Sequence, residues 1–513
     1  MTLIQESFLY RLWTALLACY YGSALHRFLA ASGRWCNRQI DTSRILAVLC
    51  REGAAARSWP ESTTCRILTW LVDLPGNLLH RLYRALSLTF EDSLIARLLF
   101  DLGESTAIAQ SWLMMLLWVI PFSRWNNSYS LLAFAFLALL FHAGAMHRSA
   151  LRLDVEHIGF YPLVFLLAVA LSVFQSYAPA MSLRFLFYHA SAALCVLVTV
   201  SAVRSEDDLK RLAAGAAVCV GVTGSYGIYQ RIQGVEVNPS IVDLKVNVGI
   251  PGRVLSIFDN VNTFAEVLLL LLPLVVALIL CSRHWYMRLL ACGIFVVGVA
   301  AMGMTYSRAS WVGLACAAVV FVFLWNPRLI PLFAVLCVLA IPLMPTTIWN
   351  RILTIANPAD KSTANRIPLY KGAWAAITSR PIRGVGLGTA VTQRYISDWN
   401  LFHAKFPYVH AHNFYLEVWL ETGLLGLLGF LSAMLWNIKR VAHAVRHSRG
   451  NAPARVIGCA AASALCGIMV CGLADFPWHY PRVLCIFWFV FAMALAAVKV
   501  LAKDLTLSEN PVE

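Results

Sequence analysis

The sequence predicts an all-α integral membrane protein with about twelve transmembrane helices and a large outward-facing loop domain between helices nine and ten. Three observations predict it. The 513-residue chain is 60% hydrophobic and only 13% charged, whereas soluble domains are about 45–50% apolar and about 25% charged. Apolar runs of roughly 20 residues, the length that crosses a bilayer, recur from Thr106 onward. Lys and Arg alternate between rich and poor connecting segments, as the positive-inside rule requires. The formal net charge is +15. In such a chain that excess implies basic cytoplasmic loops and anionic membrane lipids as partners, and no nucleic acid.

Residues 1–105 read as a cytoplasmic region of amphipathic helices. They hold eleven Arg, no Lys and nine acidic residues among Leu, Trp, Tyr and Phe. A short theme recurs at Ser7–Arg11, Ser23–Arg27 and Ser93–Arg97, with weaker variants at Ser43-Arg44 and Thr64-Cys-Arg66. Ser is a good N-cap, and apolar and basic residues follow at helical spacing. These helices either lie on the membrane surface with Arg toward headgroups or pack on one another as a small domain. Trp59-Pro60 and Pro75-Gly76 are expected breaks. Met1 to Ala31 is expected to lack a cleavable signal, because charged residues interrupt its apolar run.

Residues 106–343 supply nine expected spans, starting near Thr106, Tyr129, Gly159, Leu183, Leu212, Val261, Met287, Ala309 and Leu329. Residues 412–503 supply three more, starting near Asn413, Ala454 and Val483, and 504–513 form a cytoplasmic tail. With the N-terminus inside, inner loops carry Arg148 and Arg152, Arg204, Lys210 and Arg211, Arg283 and Arg288, and Arg328. The loop after the tenth span carries Lys439, Arg440, Arg446, Arg449 and Arg455. Three segments then face outward: Arg231–Asn260, Met344–Ala411 and Asp475–Arg482. The cysteines, 14 in all, fall outside these segments and form no C-x-x-C pair, so they read as small apolar or reduced residues.

The outward loop domain, 344–411, is too long for a mere connection. A helix is expected over Arg366–Ser379, with Ile367, Tyr370, Trp374 and Ile377 on one side, ended before Pro381. GVGLG follows, where Gly384, Gly386 and Gly388 permit tight turns. It is not a nucleotide loop, since no strand precedes it and it faces away from the cytoplasm.

His410–Phe430, HAHNFYLEVWLETGLLGLLGF, is where this polar loop becomes an apolar helix. Asn413, Glu417 and Glu421 share one helical face, which should meet a cavity or partner side chains. The plainer alternative is a capping Asn with interfacial histidines. Gly423, Gly426 and Gly429 recur at a spacing that lets another helix approach closely. Arg253, Arg308 and Arg366, with Lys371 beside the last, are basic residues that face outward. Each alone is compatible with an interfacial anchor. Converging near one histidine, they would bind phosphate oxygens bidentately.

Several features in order resemble the O-antigen ligase family, within the wider group of envelope glycan ligases and polymerases. His412-Asn413, nine residues, then Gly423-Leu-Leu-Gly426 matches its H-N-x9-G-x-x-G pattern. Asp259-Asn260-Val-Asn262 opens a span where the family shows N-P-N, a departure. Ser307-Arg308 matches its S-R turn, and Arg366 through Pro381-Ile-Arg-Gly384-Val-Gly386-Leu-Gly388 matches an Arg, an aromatic helix and P-x-x-G-x-G-x-G. The likeness spans about residues 105–500 and leaves the N-terminal extension unexplained.

The resemblance implies a metal-independent, inverting glycosyltransferase of the bacterial inner membrane, with its active site toward the periplasm. It would move a glycan from undecaprenyl diphosphate to an acceptor hydroxyl, without a cofactor. The acceptor is foremost lipid A-core in lipopolysaccharide biosynthesis; alternatives are a growing glycan, as in polymerases, or a protein hydroxyl. His412 would be the general base. Arg253, Arg308 and Arg366 would bind the diphosphate, supported by Asn413, Lys371, His410 and Glu417. No metal site is expected. Two rivals stay open: a lipid or solute transporter, which would bind nearer the midplane, and a non-catalytic partner of glycan enzymes.

Overall fold

The computed structural model describes residues 8–43, 53–86, 93–148, 151–237, 251–355, 357, 360–448 and 452–509. Every regular element among them is helical. The N-terminal region forms α1 (Phe8–Gly22), α2 (Ala24–Thr42), α3 (Ala54–Ser58), α4 (Thr63–Ala85) and α5 (Leu94–Glu104). The expected serine caps are present where described: Ser23 and Ser93 accept backbone N–H groups three residues on. The themes at Ser7 and at Ser43-Arg44 fall partly or wholly outside the described residues.

The expected break at Pro75-Gly76 does not occur. Pro75 lies inside α4, which runs on to Ala85. Proline removes one backbone donor there, and docking holds the helix together instead. Asp73 accepts the Leu153 N–H at 3.0 Å, and His80 Nδ1 lies 2.7 Å from the Met146 carbonyl. The region therefore packs on the rest of the chain, not only on itself. Its outer face still carries exposed Ile67, Trp70, Leu71, Leu78 and Leu82.

The bundle follows as α6 (Thr106–Trp118), α7 (Ser128–His147), α8 (Val155–Ile158), α9 (Phe160–Phe174), α10 (Pro179–Ala202) and α11 (Glu206–Gln233). It continues with α12 (Val261–Cys281), α13 (Trp285–Met304), α14 (Arg308–Trp325) and α15 (Ile330–Ala340). After four loop helices come α20 (Phe414–His447), α21 (Pro453–Cys471) and α22 (Pro481–Glu509). The loop helices are α16 (Thr346–Leu353), α17 (Lys361–Ala364), α18 (Arg366–Ser379) and α19 (Thr389–Asp398).

Among the described residues, nine helices are long and apolar enough to cross a membrane: α7, α10 to α14 and α20 to α22. Three expected spans, at α6, α9 and Pro327–Ala340, are shorter apolar helices. Most expected starts fall within about two residues of a helix start, while Leu183 and Leu212 lie inside α10 (from Pro179) and α11 (from Glu206). The bundle centres on α22, whose apolar stretch is 94% buried, while α13 at 22% lies at the rim. α14 and α21 approach backbone to backbone: a Cβ on Gly313 would sit 2.6 Å from the Gly467 carbonyl oxygen. Small residues at such a crossing are how membrane helices pack without a hydrophobic driving force.

The glycine series of α20 is not one helical face. Gly423 has φ 71° and ψ −174°, so the helix breaks there. Only glycine adopts that backbone without strain, and a Cβ would meet the Ile382 carbonyl oxygen at 2.1 Å. The break frees the carbonyls of Leu420 and Glu421, which instead accept the N–H groups of Val385 and Gly386 at 2.7 and 3.2 Å. The Leu424 N–H reaches back to Pro381 O at 3.0 Å. The two glycine motifs thus clasp each other, and the clasp fixes the loop domain on α20. Gly429, by contrast, makes the expected close helix approach, to the Phe165 backbone of α9.

The loop helix Arg366–Ser379 forms with the expected limits but turns a different side inward. Leu369, Ala373, Ala376 and Ile377 are buried, while Ile367 and Trp374 are exposed. Small Ala side chains let α18 sit tightly on the loop core, and the larger rings stay outside.

Candidate active site

Described residues of the three segments expected to face outward line one cavity of about 350 Å³. Arg253, Arg308, Arg351 and Arg366 line it, with Asn262, His412 and Asp475. Each comes from a different structural anchor. Arg253 precedes α12, Asn262 lies in its first turn behind the Asn260 N-cap, and Arg308 opens α14 after the Ser307 N-cap. Arg351 ends α16 and Arg366 opens α18. His412 lies two residues before α20, whose N-cap is Asn413.

His412 is held by its neighbours, not by the helix. Its φ is 47°, a left-handed backbone uncommon outside glycine. Its N–H donates to His410 Nδ1 at 3.1 Å, and its Nδ1 lies 3.1 Å from Asp475 Oδ1. Asp475 is in turn fixed by the Asn262 side-chain amide at 2.9 Å and the Phe476 N–H at 2.9 Å. Asn262 Oδ1 accepts from Arg253 Nη2 at 3.1 Å, and Arg253 Nε donates to Thr305 O at 2.7 Å. A continuous polar chain thus runs Arg253–Asn262–Asp475–His412.

Burial opposes ionisation of Asp475. The His412 hydrogen bond and the charges of His412, His410 and Arg366 outweigh that, and hold its carboxyl well below the usual carboxylate range. An ionised carboxylate only accepts, so the proton of His412 sits on Nδ1 and Nε2 is left as a base. Burial holds His410 well below the ordinary histidine value, helped by the charges of His412 and His479. His410 is therefore a neutral acceptor behind His412.

The cations crowd one another. Burial, with the charges of Arg351 and Arg308, brings Arg253 down to about 9. Burial and Arg308 bring Arg351 down to about 10. Both stay charged at neutral pH, in a site whose excess positive charge favours an anion. Arg308 donates to Thr354 O at 2.5 Å and Asp360 Oδ1 at 2.8 Å, and Arg351 reaches Asp360 Oδ2 at 3.3 Å. Arg366 makes no hydrogen bond or ion pair with a described residue, and it flanks the space beside His412.

One three-donor group exists among the described residues: His410, His412 and Asp475 offer ligand atoms within 4.8 Å of one another. Those atoms already bond to each other or to backbone, and four guanidiniums share the cavity. The arrangement suits an anion better than a cation.

Arg253, Arg308, Arg366 and His412 thus line one cavity. The supporting residues stand elsewhere. Asn413 caps α20 through the Leu416 N–H at 3.0 Å and donates to Leu473 O at 3.0 Å. Glu417 is buried behind the loop, accepting from Ala411 N at 2.7 Å and Thr392 Oγ1 at 3.1 Å. Lys371 lies on the exposed face of α18. Both readings of the His410–Phe430 boundary therefore hold in part: Asn413 is a cap, and Glu417 meets partner groups. Sequence reasoning missed Arg351 and Asp475. A basic residue in the outward loop and an acid in a short outward segment with His479 were the available signals.

The O-antigen ligase family model, described as Wzy_C: O-Antigen ligase, matches residues 293–431. The match covers Arg308, Arg351, Arg366 and His412, and excludes Arg253, Asn262 and Asp475. No curated protein matches the chain. Residues 293–431 are thus similar to the O-antigen ligase family, over a minor part of the 513-residue chain.

Proposed function

We propose that this protein is an inverting, metal-independent glycosyltransferase of the bacterial inner membrane, with its cavity toward the periplasm. It moves a glycan from undecaprenyl diphosphate to an acceptor hydroxyl, foremost on lipid A-core in lipopolysaccharide biosynthesis. The observation that carries this reading is the sharing of one cavity by four guanidiniums and the His412–Asp475 pair.

Arg253, Arg308, Arg351 and Arg366 receive the diphosphate. Its charge grows as the bond between the anomeric carbon and the phosphate oxygen breaks, so cations already in place stabilise the departing group most at that moment. His412 Nε2 takes the proton of the acceptor hydroxyl as its oxygen attacks the anomeric carbon from the opposite face. The new glycosidic bond forms, undecaprenyl diphosphate leaves, and the proton passes from imidazolium to solvent. Asp475 keeps the ring turned and stabilises the imidazolium.

A deletion strain tests the reaction and its acceptor. Loss of long-chain glycan from lipid A-core, with undecaprenyl-linked chains still accumulating, is expected. Single repeat units remaining on the core identify a polymerase instead. An unchanged glycan ladder overturns the reading.

A further inference from the structure

Asp360 lies off the cavity wall, yet two of the wall's arginines converge on it. Its side chain is 2% exposed. Oδ1 accepts from Arg308 Nη2 at 2.8 Å and Oδ2 lies 3.3 Å from Arg351 Nη1. Each carboxylate oxygen serves one guanidinium. Arg308 comes from the first turn of α14 and Arg351 from the end of α16. The Asp360 carbonyl also accepts the N–H groups of Thr363 and Ala364, both at 2.9 Å. That turn leads directly into α18 and Arg366. One residue therefore joins three chain segments, each bearing a cavity arginine.

We propose that Asp360 is a positioning residue that sets Arg308 and Arg351 as a preformed clamp for the diphosphate of the lipid-linked donor. The proposal rests on the diphosphate reading above. The chemistry follows from the guanidinium's shape. It is a planar fork whose edges match carboxylate and phosphate oxygens alike. A carboxylate oxygen on one nitrogen of each guanidinium, with Thr354 and Thr363 also holding Arg308, fixes the plane of the group and the place of its charge beside the cavity. Two like charges drawn to one anion also stay together against their mutual repulsion. Arginines arranged before the donor arrives need no reordering when it binds.

Electrostatics and positioning make opposite predictions, which gives a clean test. Asp360→Asn removes a negative charge beside an anion site. If Asp360 acted only as a charge, the donor would bind more tightly. If it positions the clamp, the donor binds more weakly. The measurement is transfer by the purified full-length protein in detergent or nanodiscs, with donor and acceptor KM determined separately, and equilibrium binding of undecaprenyl diphosphate itself. Asp360→Asn is expected to raise the donor KM about tenfold or more, with the acceptor KM within about twofold. Asp360→Glu keeps the charge and should recover part of the loss. The double variant Asp360→Asn with Arg351→Gln should lose less than the product of the two single losses, because both substitutions disturb one unit.

Where Asp360→Asn fails to fold, Asp360→Glu decides by its donor KM. Donor KM and undecaprenyl diphosphate binding equal to or better than wild type in these variants overturn the proposal. Arg366→Ala separates its failure from failure of the wider reading, since Arg366 does not touch Asp360. If Arg366→Ala weakens donor use and the Asp360 variants do not, only the positioning role falls. If neither weakens donor use, the diphosphate reading falls with it.

Discussion

His412 Nδ1 lies 3.1 Å from Asp475 Oδ1, across 63 positions of chain. The carboxylate, held ionised by its surroundings, assigns the ring proton to Nδ1 and leaves Nε2 as the ring's proton acceptor. Asp475→Asn preserves the shape and the contact distance but can present an N–H to Nδ1. That favours the opposite tautomer and removes support for the imidazolium. Transfer should fall at least tenfold, toward the range of about 10²–10⁴ that general-base catalysis supplies. Binding of undecaprenyl diphosphate should stay within about twofold. Weakened donor binding with unchanged turnover would make Asp475 a substrate-site group instead of an orienting one.

Gly423 is the hinge of the clasp between α20 and the Pro381–Gly388 turn. Gly423→Ala places a methyl 2.1 Å from the Ile382 carbonyl oxygen in a left-handed backbone. Strain of this kind costs about 1–3 kcal/mol before the overlap is counted. The variant should unfold at a clearly lower temperature in detergent and lose transfer. Gly22→Ala, with nothing within 4 Å of the added methyl, is the matched control. Equal melting of Gly423→Ala and the control would remove the clasp from the account.

Much of this site was legible in the sequence, and the reason is charge. Arg253, Arg308, Arg366 and His412 stood out because charged groups at an outer membrane edge are few and costly. Span positions were legible because apolarity over 20 residues is a strong signal. Asp475 was not, since its partners His412 and Asn262 are distant in the chain, and Arg351 was not, since it sits in no family motif and meets the other arginines only in the fold. The direction of α18 was lost because two of its buried residues, Ala373 and Ala376, carry little hydrophobic signal beside the exposed Ile367 and Trp374. Pro75 shows the same limit: docking through Asp73 and His80 outweighs a local helix breaker. Gly423, read from spacing as a packing face, is a break, where backbone groups of Pro381, Val385 and Gly386 from another segment pair with Leu424, Leu420 and Glu421.

Acidification should destabilise the fold in two stages. Burial depresses the folded pKa values of both His410 and His479. The unfolded chain then binds more protons, so stability is full above the ordinary histidine value of about 6.5 and falls as pH drops toward the folded values. Asp475 is depressed as well, so its stabilisation persists above the ordinary carboxylate value of about 4 and is lost only below it. Thermal unfolding from pH 7.5 to 5 should show the first stage, at most about 1.4 kcal/mol per pH unit for each histidine. His410→Asn keeps an acceptor for the His412 N–H and should flatten the slope. A wild-type melting temperature constant over that range contradicts the assignment.

The orientation can be read chemically. Ser397 on α19 and Arg446 near the end of α20 are both exposed. In intact spheroplasts, Ser397→Cys should react with an impermeant thiol reagent, while Arg446→Cys should react only after lysis. Wild-type protein sets the background from Cys19, Cys292 and Cys337, which are exposed. The reverse pattern places the cavity on the cytoplasmic side and removes the periplasmic reaction.

The central claim is that His412, not the neighbouring His410, takes the proton from the acceptor. His412 lines the cavity beside the arginines, while His410 is 6% exposed behind it. The direct measurement is transfer in vitro with purified donor and acceptor, alongside binding of undecaprenyl diphosphate. His412→Ala should fold, bind undecaprenyl diphosphate normally and lose transfer by about 10²–10⁴-fold. His410→Ala should lose less than about tenfold. Near-normal transfer by His412→Ala would contradict the general-base role.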